Sequence, residues 1–178
     1  MYITKQFLLI LPVLFAAAAG ISDWRTRRIP NWLTVPGLLL GIIVNLLARG
    51  WPGAKDSLLG AGLGLLLLLP FVLLRSLGAG DWKLTGALGA FLGPQRLIGV
   101  LFAAILIAGV MALLLIIRKG RVRQTLRNIA RMVAALFTFH LPGPELSLEN
   151  PEALKIPFGV AVAAAVIVCS ASQIWPML

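Results

Sequence analysis

The chain has 178 residues, 60% of them hydrophobic and only 12% charged, with a mean hydropathy of +0.96. A soluble domain carries about 45–50% apolar and about 25% charged residues, so the composition excludes a soluble enzyme, a disordered tail and a nucleic-acid-binding domain. One cysteine (Cys169) and one histidine (His140) leave no internal disulfide framework and no Cys/His metal cluster, and no metal or cofactor is expected. The net charge of +10 fits a membrane protein with basic cytoplasmic loops.

A bilayer crossing takes about 20 apolar residues. Six apolar stretches follow in chain order, at 2–21, 33–48, 57–77, 82–92, 97–117 and 156–175. The expected fold is therefore all-α: a polytopic membrane protein of six transmembrane helices forming a single domain over 1–178. The fourth stretch is too short to span alone. It needs help from the Gly-rich turn before it or from 94–97 after it, and such backbone is tolerated where it packs on protein. The first stretch has a second reading. Lys5, an apolar 7–15 and the small residues 16–20 resemble a secretory signal peptide, although five further crossings and an Arg-rich segment follow.

With the N-terminus outside, the inner loops hold Arg25, Arg27, Arg28, Arg75, Lys83, Arg118, Lys119, Arg121, Arg123, Arg127, Arg131 and Lys155. Lys5, Arg49, Lys55 and Arg96 fall outside. This asymmetry predicts an N-out, C-out arrangement. Between the fifth and sixth stretches, Val122, Leu126, Ile129, Val133 and Leu136 recur at helical spacing, with arginines on the other faces. That pattern over 118–140 predicts an amphipathic helix lying on an anionic cytoplasmic leaflet. The segment 141–151 reads as a Pro-rich loop.

Chemistry rests on six carboxylates. Glu145, Glu149 and Glu152 fall in or beside the Pro-rich loop, and Asp56 can cap a helix starting near Ser57. Asp23 closes the first stretch and Asp81 the third, so both come out at the inner face. Ionisable residues at such positions are functional candidates. Each has a structural reading too. Asp23 can sit in a salt-bridged loop with Arg25, Arg27 and Arg28. Gly78 and Gly80 can end a helix and Asp81 cap the next, or the glycine backbone can stay open to an extended peptide. Two aspartates brought together cannot both ionise cheaply, and such a pair can activate water and protonate a scissile carbonyl. Cys169, inside the last stretch, reads as a small core residue.

The two segments, Asp23-Trp24-Arg25-Thr26-Arg27-Arg28-Ile29-Pro30-Asn31 and Gly78-Ala79-Gly80-Asp81-Trp82-Lys83, resemble the signatures of type IV prepilin peptidases, the polytopic GxGD aspartic proteases. A third match, Lys155-Ile156-Pro157-Phe158-Gly159, opens the last stretch. The resemblance implies that Asp23 and Asp81 are the catalytic pair. It implies that Arg28, Pro30 and Asn31 shape the first loop, that Gly78, Gly80 and Lys83 support the second, and that Pro157, Phe158 and Gly159 form a late motif. The implied reaction is removal of a short basic leader from a pilin-like precursor at the cytoplasmic face of a bacterial inner membrane. Pilus-assembly machinery would be a further partner, and nucleic acid none. The bifunctional members carry a cysteine-bearing insertion and N-methylate the product. Only about a dozen residues separate the first two stretches here, so the chain resembles the small Flp/Tad-type branch without methyl transfer. The alternative is a non-catalytic membrane assembly factor or small transporter subunit.

Overall fold

The computed structural model describes residues 2–73, 77–120, 122–137 and 156–174. Every regular element among them is a helix: α1 (Tyr2–Thr26), α2 (Asn31–Leu73), α3 (Ala79–Arg118), α4 (Val122–Phe137) and α5 (Phe158–Ile174). Helices long and apolar enough to cross a membrane are α1 over Leu8–Thr26, α2 and α3. His140, the loop at 141–151, its glutamates and Lys155 lie outside the described residues.

Neither α2 nor α3 is straight. Gly50 (φ 65, ψ −154) breaks α2 and Gly93 (φ 74, ψ 172) breaks α3. Positive φ of this kind suits glycine. The Ser57 hydroxyl lies 3.5 Å from the Gly41 carbonyl oxygen, sixteen residues earlier. A continuous helix would hold them about 24 Å apart, so the chain turns back at Gly50. In α3, the Thr85 carbonyl oxygen and Leu97 Cδ2 stand 2.8 and 3.1 Å from the same point above Gly64. A continuous helix would hold those two residues about 18 Å apart, so α3 also turns back. The chain thus supplies paired arms at 31–49 and 51–73, and at 79–92 and 94–118. The short fourth stretch gains its length at the front, where α3 begins at Ala79. The third begins at the Gly50 turn rather than near Ser57. Asp56 therefore sits inside a helix instead of capping one, and it pairs with Arg49 at 3.1 Å.

The break in α3 frees backbone carbonyls, because Pro94 has no N–H to return to Ala90. Polar side chains from α2 take up the slack. The Asn45 amide donates to the oxygens of Ala90 (3.0 Å) and Phe91 (3.1 Å), and Ser57 Oγ donates to Ala90 O at 2.7 Å. Asn45 is 1% exposed and Ser57 fully buried. A broken helix at membrane depth is stable only when its freed groups are satisfied in this way.

Packing is by small residues. Ala16, Ala19, Ala87, Ala90, Ala104, Ala161 and Ala165 are fully buried, whereas Leu14, Leu47, Leu59 and Leu66 are more than half exposed. Lipid tails are as apolar as leucine, so helix association in a bilayer relies on close backbone approach. Gly60 and Gly89 face each other closely enough that a Cβ on either would meet the other's carbonyl oxygen. After the turn at Gly120 (φ 64), α4 leaves Val122, Leu126 and Ile129 exposed on one side, with Arg123 and Arg127 also exposed. The side chains of Val133 and Leu136, which complete the stripe, lie outside the described residues.

Candidate active site

Asp23 lies in the last turn of α1, 7% exposed. The helix ends just beyond it, where Arg27 adopts φ 54 while its N–H still donates to Asp23 O at 2.9 Å. The connector at 27–30 is pinned to α1 by two hydroxyls. Ser22 Oγ donates to Arg28 O at 3.0 Å, and Thr26 Oγ1 shares its one proton between Ser22 O (2.8 Å) and Arg28 O (3.1 Å). Pro30 then opens α2, its carbonyl oxygen accepting from Leu33 N (3.1 Å) and Thr34 N (3.3 Å).

Asp81 is the third residue of α3. Gly78 is the N-cap, with extended φ −69 and ψ 141 and no side-chain cap. Asp81 therefore does not cap α3, and only Gly78 of the glycine segment is extended. The carboxylate at 81 turns back over this cap, with Oδ2 3.2 Å from where a Cβ on Gly78 would stand. A carboxylate in a first turn faces the positive end of the helix dipole. Two bonds hold this turn: Trp82 Nε1 donates to Leu65 O at 2.7 Å and Thr85 Oγ1 to Asp81 O at 2.9 Å.

The fold brings these two helix ends to one place. Asp23, Asp81, Arg27, Arg28, Ile29, Pro30, Asn31, Gly78 and Gly80 line a cleft of about 440 Å³. The two carboxylates and Arg27 thus share the wall of a single cleft. Lys83 donates from Nζ to Asn31 Oδ1 at 2.9 Å. From the late motif, Gly159 N donates to Asp23 Oδ2 at 2.8 Å. Pro157 is buried and starts α5, accepting from Val160 N at 3.2 Å. Phe158 packs against the core.

Sequence reasoning missed Ile29, which is 9% exposed, and the Ser22 and Thr26 clamp. The signal for Ile29 was present as an apolar residue inside a basic, proline-flanked connector. A second cavity of about 610 Å³ lies at the other end, lined by Asn45, Arg49, Asp56, Gly93, Gln95 and Arg96 among others. It contains neither Asp23 nor Asp81, and its one carboxylate is already paired with Arg49.

Comparison with known proteins gives the same two segments a context. The profile of the type IV leader peptidase family matches residues 9–113, a span that holds both aspartates. The chain belongs to the type IV leader peptidase family. A prepilin leader peptidase/N-methyltransferase of Xanthomonas campestris pv. campestris is 32% identical over 124 residues, covering 66% of this chain and 42% of the relative. One of Neisseria gonorrhoeae is 37% identical over 60% of this chain and 40% of its own length. One of Aeromonas hydrophila is 40% identical over 58% and 38%. This family member thus spans about two fifths of the length of those relatives. No solved structure matches it.

Proposed function

We propose that this leader peptidase family member is a membrane-embedded aspartic endopeptidase that removes the basic leader from type IV pilin-like precursors. The observation that carries the reading is the meeting of Asp23 and Asp81, from separate motifs and separate helices, in one cleft. In the proposed reaction one carboxylate takes a proton from water, and the water oxygen attacks the scissile carbonyl carbon. The other carboxyl, protonated at the start, gives its proton to the carbonyl oxygen. The tetrahedral species then collapses. Its C–N bond breaks, the new amine takes the proton held by the first carboxyl, and the second carboxyl recovers its own. Gly159 N–H fixes the orientation of Asp23, and Lys83 with Asn31 joins the two motif segments.

The same reading has six crossings: α1, the four arms of α2 and α3, and α5. The cleft end carries Arg25, Arg27, Arg28 and Lys83 and faces the cytoplasm of a bacterial inner membrane, with both termini outside. Trp24 and Trp32, 67% and 74% exposed, lie at this end, and Trp51, 65% exposed, at the Gly50 turn. Indole rings at two levels suit the two membrane interfaces. The apolar side of α4 and its arginines suit an anionic inner leaflet. Substrates of the Flp/Tad type, and pilus-assembly machinery as a partner, go with the short connector between α1 and α2.

The test is cleavage of a precursor by the purified protein in lipid, with both products identified by mass. Asp23→Asn and Asp81→Asn should each abolish the cut while the protein stays in the membrane. The double variant should be hardly worse than either single one, since the two act as a unit. Asp56→Asn and Glu149→Gln should keep activity. Normal cutting by Asp81→Asn would falsify the aspartic mechanism.

A further inference from the structure

Ile29 is the one apolar side chain among the residues lining the cleft, apart from the proline beside it. It is buried although Arg27 and Arg28 before it are exposed. Two glycines make room for it. A Cβ on Gly80 would stand 3.2 Å from Ile29 Cβ, 3.2 Å from its carbonyl oxygen and 3.4 Å from its nitrogen. A Cβ on Gly159 would stand 3.1 Å from Ile29 Cδ1 and 3.0 Å from Asp23 Oδ2. One residue therefore spans from the Asp23–Gly159 corner to the residue that precedes Asp81.

The spacer is stiff at each joint. Ser22 and Thr26 hold the Arg28 carbonyl before it, and Pro30 fixes φ after it. The side chain is β-branched and so restricted at χ1. Of the hydrogen bonds around it, Gly159 N to Asp23 Oδ2 joins α5 to α1 and Lys83 Nζ to Asn31 Oδ1 joins α3 to α2, and Ile29 lies between these two ties.

We infer that Ile29 is a positioning residue that sets the spacing of the Asp23 and Asp81 segments, one through its side chain and the other through its backbone and Cβ. This rests on the reading of those aspartates as the reacting pair. It predicts a loss in turnover rather than in binding, because a misplacement of about 1 Å between reacting groups costs about 100-fold. Removing the side chain beyond Cβ takes away the contact at Gly159 and leaves that at Gly80.

The experiment measures kcat and KM separately for the full chain in lipid, with a precursor as substrate, alongside membrane level and thermal unfolding. Ile29→Ala should lower kcat by about 10–100-fold with KM within about twofold, and Ile29→Val should recover most of it. Ile29→Leu keeps the volume but moves the branch point, so it should fold normally and still lose kcat by about 3–10-fold. If Ile29→Ala is poorly folded, Ile29→Leu decides. Wild-type kcat in Ile29→Leu, or a raised KM with kcat intact, overturns the proposal. So does a loss that only tracks the amount of folded protein. Asp23→Asn and Asp81→Asn run in parallel keep the two readings apart. Inactive aspartate variants beside a fully active Ile29→Ala overturn the positioning role alone, whereas active aspartate variants overturn the pair itself.

Discussion

Lys83 Nζ reaches Asn31 Oδ1 across 2.9 Å, joining residues fifty-two positions apart in the chain. The bond ties the first turns of α3 to the first residue of α2, and so sets the Asp81 turn against the connector that follows Asp23. It lies near the surface, so its net worth is about 0.5–1.5 kcal/mol. Lys83→Met should therefore lower kcat/KM by about 2–10-fold, and Asn31→Ala by a similar amount. The double variant should be no worse than the poorer single one. A double-mutant cycle with fully additive losses would show that the pair does not act as a unit.

Gly159 meets Asp23 with no space to spare. A Cβ there would stand 3.0 Å from both Asp23 Cβ and Oδ2, while the backbone N–H must still donate to that oxygen. If Asp23 reacts as proposed, Gly159→Ala should cut turnover at least tenfold, because it displaces that carboxylate rather than removing it. Gly109, with nothing within 4 Å of its Cβ position, is the control. Gly109→Ala should keep full activity. Equal behaviour of the two variants, measured as cleavage per folded molecule, would count against a role for the late motif.

Much of this was legible in the sequence because apolar length and carboxylate scarcity are strong signals. Asp23 and Asp81 stand out once the acids of the loops are set aside, and the helices fall close to the apolar stretches. Two features were not legible. The pairing of α1 with α5 is close at Gly20 and Ala163, and Ala16, Ala19 and Ala161 of the same helices are fully buried, small residues that carry no hydrophobic periodicity when both lipid and protein are apolar. Gly20 and Ala163 approach so closely that a Cβ on the glycine would lie 2.8 Å from that of the alanine. The burial of Ile29 was hidden for another reason. A connector with three arginines nearby reads as solvated, and only the two glycines brought from α3 and α5 create the space it fills.

Asn45 joins the two bent helices. Its amide serves Gly41, Ala90 and Phe91, and its side-chain oxygen accepts from the Arg49 guanidinium. Asn45→Leu would strand buried carbonyls beside the Gly93 turn, at a cost of about 1–3 kcal/mol. Ser57→Ala should cost less, because Asn45 still serves Ala90. Denaturant titration in micelles should rank wild type above Ser57→Ala and both above Asn45→Leu. The reverse order would mean that the carbonyls at the break are satisfied by other groups.

Topology can be read by thiol labelling in a Cys169→Ala background. Cysteines at Thr26 and Gln124 should be shielded from an impermeant reagent in intact cells. For the opposite face Lys55, which is exposed, is the better reporter. Gly53 is unsuitable, because a side chain there would run into the Asn45 carbonyl oxygen and Arg49 Cβ. Lys55→Cys should label from outside. Outside labelling at position 26 would place the Asp23 cleft on the wrong face for a cytoplasmic precursor.

The relatives are named both peptidase and N-methyltransferase, and this chain spans about two fifths of their length. Methyl transfer needs a concave site of several hundred Å³ for a large cofactor. The connector from α1 to α2 consists of residues 27–30 and is already committed to Ile29 and the helix clamps. The cavity of about 610 Å³ lies at the opposite end of the helices from the aspartates, and the cleft of about 440 Å³ is lined by the two aspartates themselves, where a methyl donor would compete with the peptide in the proposed reaction. With one cysteine in the chain, no cysteine cluster is available to build a zinc-supported insertion. Cleavage should therefore run in chelator and without S-adenosylmethionine, and the mature pilin should leave with a free α-amine. Mass spectrometry of its N-terminus after processing by the purified protein is the measurement. A gain of one methyl group that depends on added cofactor would establish the second activity and place its site outside the cleft.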